Sequence, residues 1–254
     1  MATTPDKKRA VIVTGASRGI GAATARLLGA RGYPVAINFV KNEDAAAAVV
    51  RDIVAAGGQA LAIRADISRE CEILRLFETS DRELGPLGAL VNNAAVTGGF
   101  ARVEDLTLAA LSEVLAVNVA GAMLCAREAV RRLSTASGGS GGSIVNISSI
   151  AARTGAAGEW VHYAASKGAV NSFTIGLARE VATQGIRVNA VAPGLIETDL
   201  HADNGAPDRL SRLNSSIPMR RPGTAAEVAE AVVWLLSPAA SYVTGSILEV
   251  GGGR

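Results

Sequence analysis

Seven short apolar runs, most of them separated by helix-length stretches, leave this chain few ways to fold. Ala10–Thr14, Pro34–Phe39, Gln59–Arg64, Ala89–Asn92, Ser143–Ser148, Arg187–Val191 and Ile247–Val250 read as strands. Their hydrophobic residues are near-continuous rather than alternating, so both faces of each strand need cover. Segments of about 12–25 residues with helical apolar spacing lie between most of them. Strand–helix–strand repeated in this way predicts an α/β doubly wound, seven-stranded parallel sheet with helices on both faces. Gly32, Gly57-Gly58 and Gly185 follow helical patterns where a left-handed stop is wanted before the next strand. The Gly/Ser stretch between Leu133 and Ile144 is a loop, since strands continue on both sides, and residues 1–254 form one domain.

The glycines after the first strand ask for a ligand. Thr14-Gly15-Ala16-Ser17-Arg18-Gly19-Ile20-Gly21 leads into an amphipathic helix. Glycines there let backbone approach a pyrophosphate, and the helix start presents N–H groups and partial positive charge. The spacing is G-x-x-x-G-x-G and no Gly-Lys-Ser/Thr follows, which argues for a Rossmann-type dinucleotide cradle rather than an ATP-type loop. An acid that would bind a ribose 2′-hydroxyl belongs at the end of the second strand, where the chain has Asn38-Phe39-Val40-Lys41. With no carboxylate there and with Arg18 and Lys41 nearby, NADP is favoured over NAD. Glu43 and Asp44, behind Asn42, read as first-turn residues of the next helix.

Tyr163 and Lys167 stand four residues apart in a helical pattern, so phenol and ammonium share one face. A neighbouring cation favours the phenolate, which would make the tyrosine useful in proton transfer. Ser148 and Ser149 end the fifth strand at the carboxyl edge, where open α/β sheets bind ligands; one of the two can cap the following turn. Asn118 lies in the apolar stripe of a helix expected over Thr107–Leu133, and a buried amide there either bonds neighbouring backbone or holds a water.

Charge and composition exclude several classes. Lys and Arg number 25 against 23 Asp and Glu with no long run of one sign, so neither nucleic acid nor a lipid surface is an expected partner. No unbroken apolar run reaches the ~18 residues of a membrane span, and the first nine residues are polar. Cys71 and Cys125 form no CxxC, which suits a reducing compartment and a cytoplasmic location. Two histidines without ligand spacing give no metal site.

Together these motifs resemble the single-domain branch of the short-chain dehydrogenase/reductase family. The likeness runs from the TGASRGIG turn through Asn92–Ala95, Asn118, Ser149, Tyr163 and Lys167 to Pro193-Gly194 and the YVTGS stretch near the end. It implies hydride transfer between a nicotinamide cofactor and a small carbonyl or alcohol substrate. Tyr163 would be proton donor or acceptor, Ser149 would orient the substrate oxygen, Lys167 would lower the tyrosine pKa and hold the nicotinamide ribose, Tyr163 and Lys167 both touching the cofactor, and Asn118 would support a proton relay. It also implies Gly15, Ser17, Gly19, Ile20 and Gly21 at the phosphates, Asp66 and Ile67 near the adenine, and Asn92 and Ala94 along the cofactor. Pro193, Gly194, Ile196 and Thr198 would lie by the nicotinamide. A homotetramer is implied as well. The chain is similar both to 3-oxoacyl-carrier-protein reductases and to glucose 1-dehydrogenases; Gln184, where the former tend to carry arginine, disfavours a carrier-protein partner. Ser149 to Tyr163 is one residue longer than is common in the family. A non-catalytic cofactor sensor and an NAD-dependent dehydrogenase are the alternatives.

The polar stretch from Leu195 to Pro222 reads as a lid over the ligand edge, with His201, Asp203, Asn204 and Arg209 either facing substrate or water. His162 reads as a bystander to Tyr163.

Overall fold

The computed structural model describes residues 8–198 and 208–254. In chain order, β1 (Ala10–Val13), α1 (Gly19–Ala30), β2 (Val35–Phe39), α2 (Glu43–Ala55), β3 (Ala60–Arg64), α3 (Glu70–Leu84) and β4 (Leu87–Asn92) form the first half. The second half holds α4 (Leu108–Leu115), α5 (Ala122–Leu133), β5 (Gly142–Ile147), α6 (Ala151–Thr154), α7 (Val161–Val181) and β6 (Ile186–Pro193). A two-residue pair follows, β7 (Ile196–Glu197) with β8 (Gly223–Thr224), then the helix Ala225–Leu236 and β9 (Ile247–Val250).

Seven strands make one parallel sheet in the order β3-β2-β1-β4-β5-β6-β9, as the strand–helix alternation predicts. The order reverses between β1 and β4, which opens a crevice at the carboxyl ends of the strands. Each strand feeds two cores. Val11, Val13, Ile37, Val91 and Val145 face α1 and the helix Ala225–Leu236, while Ile12, Ala36, Leu90 and Ile144 face α3, α5 and α7. That two-sided burial is why the strands are apolar at successive positions. Gly32, Gly57 and Gly185 take positive φ between 73° and 83°, ending their helices where expected.

Two expectations shift. β4 begins at Leu87, two residues early, and the helix expected over Thr107–Leu133 is not uniform: Ala116–Gly121 is a π-helical turn between α4 and α5. Because the three pieces are continuous, Leu108–Leu133 is long and apolar enough by composition to cross a bilayer, although no single apolar run is. Its inner face is nevertheless core: Cys125, Ala126 and Ala129 pack under the sheet. Glu128, also buried, pairs with Arg127, Arg131 and Arg132, and Arg127 and Arg132 reach on to Glu70 and Asp81 of α3.

Candidate active site

The crevice at the reversal point has a volume of ≈ 1070 Å³ and is bounded by the ends of β1, β2, β4, β5 and β6 together with α1 and α7. Its floor is the glycine turn. Gly15 has φ +61°, and a Cβ there would stand 2.8 Å from the Ala94 Cα, so the turn and the end of β4 lie backbone to backbone. Thr14 and Asn93 stitch the two together. Thr14 Oγ1 accepts from the Asn93 and Ala94 N–H groups at 2.9 and 3.0 Å, and Asn93 Nδ2 donates to the Thr14 and Gly15 carbonyls at 2.9 and 3.0 Å. α1 starts at Gly19 with no side-chain cap, leaving its first-turn N–H groups beside a crevice lined by Ser17, Arg18, Gly19 and Ile20.

Three predicted cofactor residues take other parts. Gly21 does not line the crevice: its Cβ would lie 2.5 Å from Asn93 Nδ2, so it serves close packing of α1 against the clasp. Asn92 is buried on the other side of β4, donating to the Ala122 carbonyl and Asn146 Oδ1 at 3.0 Å each, because side chains alternate along a strand and its neighbour Asn93 takes the crevice side. Asn38 borders the crevice but its amide is consumed. Oδ1 accepts from the Gly15 N–H at 3.1 Å and Nδ2 donates to the Ala65 carbonyl at 2.8 Å, so it ties β2 to the turn instead of presenting itself to a ribose.

The rim beyond Asn38 is formed by Val40, Lys41 and Asn42. Asn42 Oδ1 accepts from the Ala45 N–H and caps α2, which places Glu43 and Asp44 in the helix's first turn as the sequence pattern predicts. Across the rim, Asp66 and Ile67 line the opening, and the Asp66 carboxylate accepts from both the N–H and the hydroxyl of Ser68.

At the other end Ser149, Tyr163 and Lys167 meet, with Ala94, Pro193, Gly194, Ile196 and Thr198 around them. Ser149 Oγ accepts from the Ala151 N–H at 3.1 Å and so caps the following turn, and its side chain is near enough to Tyr163 to favour the phenolate. Ser148 turns inward to Asn171 Oδ1 at 2.6 Å. The additional residue between Ser149 and Tyr163 lies in a segment with α6 and three consecutive turn features, Gly155, Ala156 and Gly158, all at positive φ.

Lys167 is buried with its Nζ donating to the Ile147 carbonyl at 2.7 Å, and stands 5.6 Å from the Tyr163 ring centroid. The phenol's net shift runs opposite to the one expected from the ammonium. Burial pushes Tyr163 up to about 12, with Ser149 and the charge of Arg209 pulling the other way, and burial pulls Lys167 down to about 8. For the phenol, desolvation outweighs the opposing pull of Ser149 and of the Arg209 charge.

Asn118 sits in the π turn, outside the crevice lining, with Oδ1 accepting from the Val96 N–H and Nδ2 donating to the Val96 carbonyl and Ser166 Oγ. Of the two sequence readings, backbone bonding is the one its side chain adopts. His162 is buried against Gly98 and Val114, away from the crevice lining. His201, Asp203 and Asn204 lie outside the described residues. Among the described residues no three His, Cys, Asp or Glu side chains gather as a metal site. Burial pushes the Cys125 thiol up to about 12, while Cys71 is exposed.

Sequence reading missed two side chains, Thr14 and Asn93, which hold the turn; Arg209, read as facing either substrate or water, walls the far end together with Trp160. The doubled NN of Asn92-Asn93 at a strand end was the available signal for the clasp. Trp160 stacks on Phe100 with centroids 4.7 Å apart, meets Tyr163 edge-on at 6.1 Å and carries the Arg209 guanidinium 4.4 Å above its ring.

Residues 15–254 match the family model described as enoyl-(acyl carrier protein) reductase. The chain is 53% identical over 243 residues to the uncharacterized oxidoreductase YgfF of Escherichia coli K12, covering 96% of this chain and 98% of that protein. It is 41% identical over 247 residues to the cis-4-hydroxycyclohexanecarboxylate dehydrogenase of Sinomonas cyclohexanicum, covering 97% and 96%. Among solved structures, a short chain dehydrogenase from Burkholderia cenocepacia in complex with NADP superposes with a TM-score of 0.89 at 35% identity, covering 98% of both chains.

Proposed function

Because the chain belongs to the short-chain dehydrogenase/reductase family, we propose that it is an NADP(H)-dependent oxidoreductase interconverting a carbonyl compound and its secondary alcohol, with Tyr163 moving the proton. The observation that carries this reading is that Ser149, Tyr163 and Lys167 share one crevice with the uncapped start of α1.

The residues suit a dinucleotide. The first turn of α1 offers N–H groups to a pyrophosphate over a floor where a Cβ at Gly15 has no room. The β2 rim offers Lys41 and no carboxylate, which suits a 2′-phosphate. The complex of the Burkholderia relative with NADP supports the same choice. When bound, NADP(H) would supply or accept the hydride.

The chain's own groups handle oxygen and proton. With its phenol pushed up to about 12, Tyr163 holds its proton at neutral pH and serves as the acid when a carbonyl is reduced. Ser149, lining the same crevice as that hydroxyl, would hold the substrate oxygen beside it. As the phenol gives up its proton, the Lys167 ammonium, 5.6 Å from the ring, stabilises the negative charge left behind. Asn118 and Val96 set the wall opposite without touching the reacting atoms.

The test is Tyr163→Phe assayed on ketones, aldehydes and sugars with NADPH or NADP, beside a fluorescence titration of NADPH. Turnover should fall about 10²–10⁴-fold with NADPH affinity kept. A fully active variant overturns the assignment. Tight NADPH binding by the parent chain with no turnover on any substrate would instead favour a cofactor sensor.

A further inference from the structure

The dipeptide Glu159-Trp160, at the entrance of α7, gathers two distant segments onto the helix that carries Tyr163. From the loop after β4, the Ala101 N–H donates to the Glu159 carbonyl at 3.1 Å and Phe100 stacks on the indole with centroids 4.7 Å apart. From the short helix Arg209–Leu213, the Arg209 guanidinium stands 4.4 Å from the centre of the same ring while its Nη2 donates to Glu159 Oε2 at 2.7 Å. The Trp160 main chain is committed as well. Its N–H donates to the Ala156 carbonyl at 3.0 Å and its carbonyl accepts from the Ala164 N–H at 2.8 Å. Trp160 is 3% exposed, yet it lines the crevice, and its ring meets Tyr163 edge-on with centroids 6.1 Å apart. A side chain packed among so many pinned neighbours has no vacant space to swing into when a ligand arrives.

We propose that Trp160 is a specificity-determining residue whose indole limits the carbonyl substituent on its side to a methyl group, so that the compounds interconverted are a methyl ketone and its secondary alcohol. This rests on the oxidoreductase reading above and names the substrate class for that same site. For the proton to pass, the carbonyl oxygen must come within about 2.6–3.2 Å of the Tyr163 hydroxyl. The Tyr163 and Trp160 rings are in edge contact, so no part of a substrate enters between them. A substituent pointing toward the entrance of α7 therefore meets the indole directly. The other substituent would run along the aliphatic wall of Val96, Ile150 and Leu195.

The experiment pairs methyl ketones with homologues in which propyl replaces the methyl, the other substituent being a phenyl ring or a longer chain in both, and reads kcat/KM with the full chain and NADPH. The best methyl ketone should exceed its propyl homologue about tenfold or more, the size of discrimination that methylenes give in an apolar pocket. W160A leaves a void that its pinned neighbours fill only in part, and should bring that ratio close to one. W160F should give a ratio between the two, and carries the test alone if W160A does not fold, as judged by thermal melts and NADPH titration. A purely structural role for Trp160 would depress both ketones together and leave the ratio where it was. A parent chain that takes propyl as readily as methyl, or a ratio unchanged in the folded variants, overturns the inference while leaving the oxidoreductase reading intact. No NADPH oxidation with any carbonyl compound would overturn that reading and this inference with it.

Discussion

Asn118 holds Val96 by both of its backbone groups, accepting from the N–H at 2.9 Å and donating to the carbonyl at 2.8 Å. Val96 lines the crevice while Asn118 does not, so a residue on a π turn shapes the site through its neighbour. π turns occur often at functional sites because they re-aim the groups around them.

Asn118→Ala leaves the Val96 N–H and carbonyl without that partner and should cost about 1–3 kcal/mol of stability. Turnover should drop as well, since the wall beside the reacting carbon loosens. Urea midpoints and kcat measured on the same preparations check both effects; parent-like values for each would refute the positioning role.

Gly15→Ala should be worse than Gly57→Ala although both residues have positive φ. At Gly57 nothing lies within 4 Å of an added Cβ, so only the left-handed strain of roughly 1–2 kcal/mol applies. At Gly15 the Cβ also meets the Ala94 Cα at 2.8 Å, which forces the clasp apart. The prediction is a larger fall in Tm for Gly15→Ala than for Gly57→Ala, and weakened NADPH binding for Gly15→Ala alone, read by thermal melts and titration.

Lys167 gives the cofactor-free protein a pH signature. In the unfolded chain the amine keeps its proton to about pH 10.5, whereas in the folded protein burial brings it down to about 8. Between those values the unfolded state binds more protons, so this group makes stability rise with pH, by up to roughly 3 kcal/mol. Below pH 8 the gain is gone. Lys167→Met should remove the rise, and parallel urea unfolding at pH 7.5 and pH 10 measures it; equal pH responses of the two proteins would contradict the assignment.

Lys41→Glu places a carboxylate on the rim at the end of β2. It should weaken NADPH about tenfold or more, close to 1.4 kcal/mol, and leave NADH nearly unchanged. Parallel fluorescence titrations with the two dinucleotides give the answer. An unaltered NADPH affinity would remove Lys41 from the cofactor site.

The strands were readable because burial on both sheet faces writes itself as unbroken Val, Ile, Leu and Ala runs, and the helix stops because few residues other than glycine tolerate the left-handed turn. Tyr163 and Lys167 were readable because helical spacing puts them on one face and the strand end brings Ser148 and Ser149 to the ligand edge; the choice of Ser149 and its grouping with them came from the family resemblance. Other features depend on contacts distant in the chain. Whether Asn92 or Asn93 faces the crevice depends on strand phase, which an apolar run on both faces does not reveal. Asn38 looks like a ribose ligand until Gly15 and Ala65 are found in its grasp. Burial's upward push on Tyr163 was not legible, because charge proximity is visible in spacing whereas desolvation is a property of the packed molecule. The Trp160–Arg209 stack joins α7's entrance to a helix some fifty positions later, and no local pattern announces it.

Asn38 is buried and committed to holding the glycine turn, while Val40 and Lys41 stand just past the strand at the rim. Under the proposed cofactor assignment, the choice between dinucleotides would fall to positions that carry none of the turn's architecture. Preference can drift back and forth over generations at that border, one exposed side chain at a time, without putting the phosphate cradle at risk.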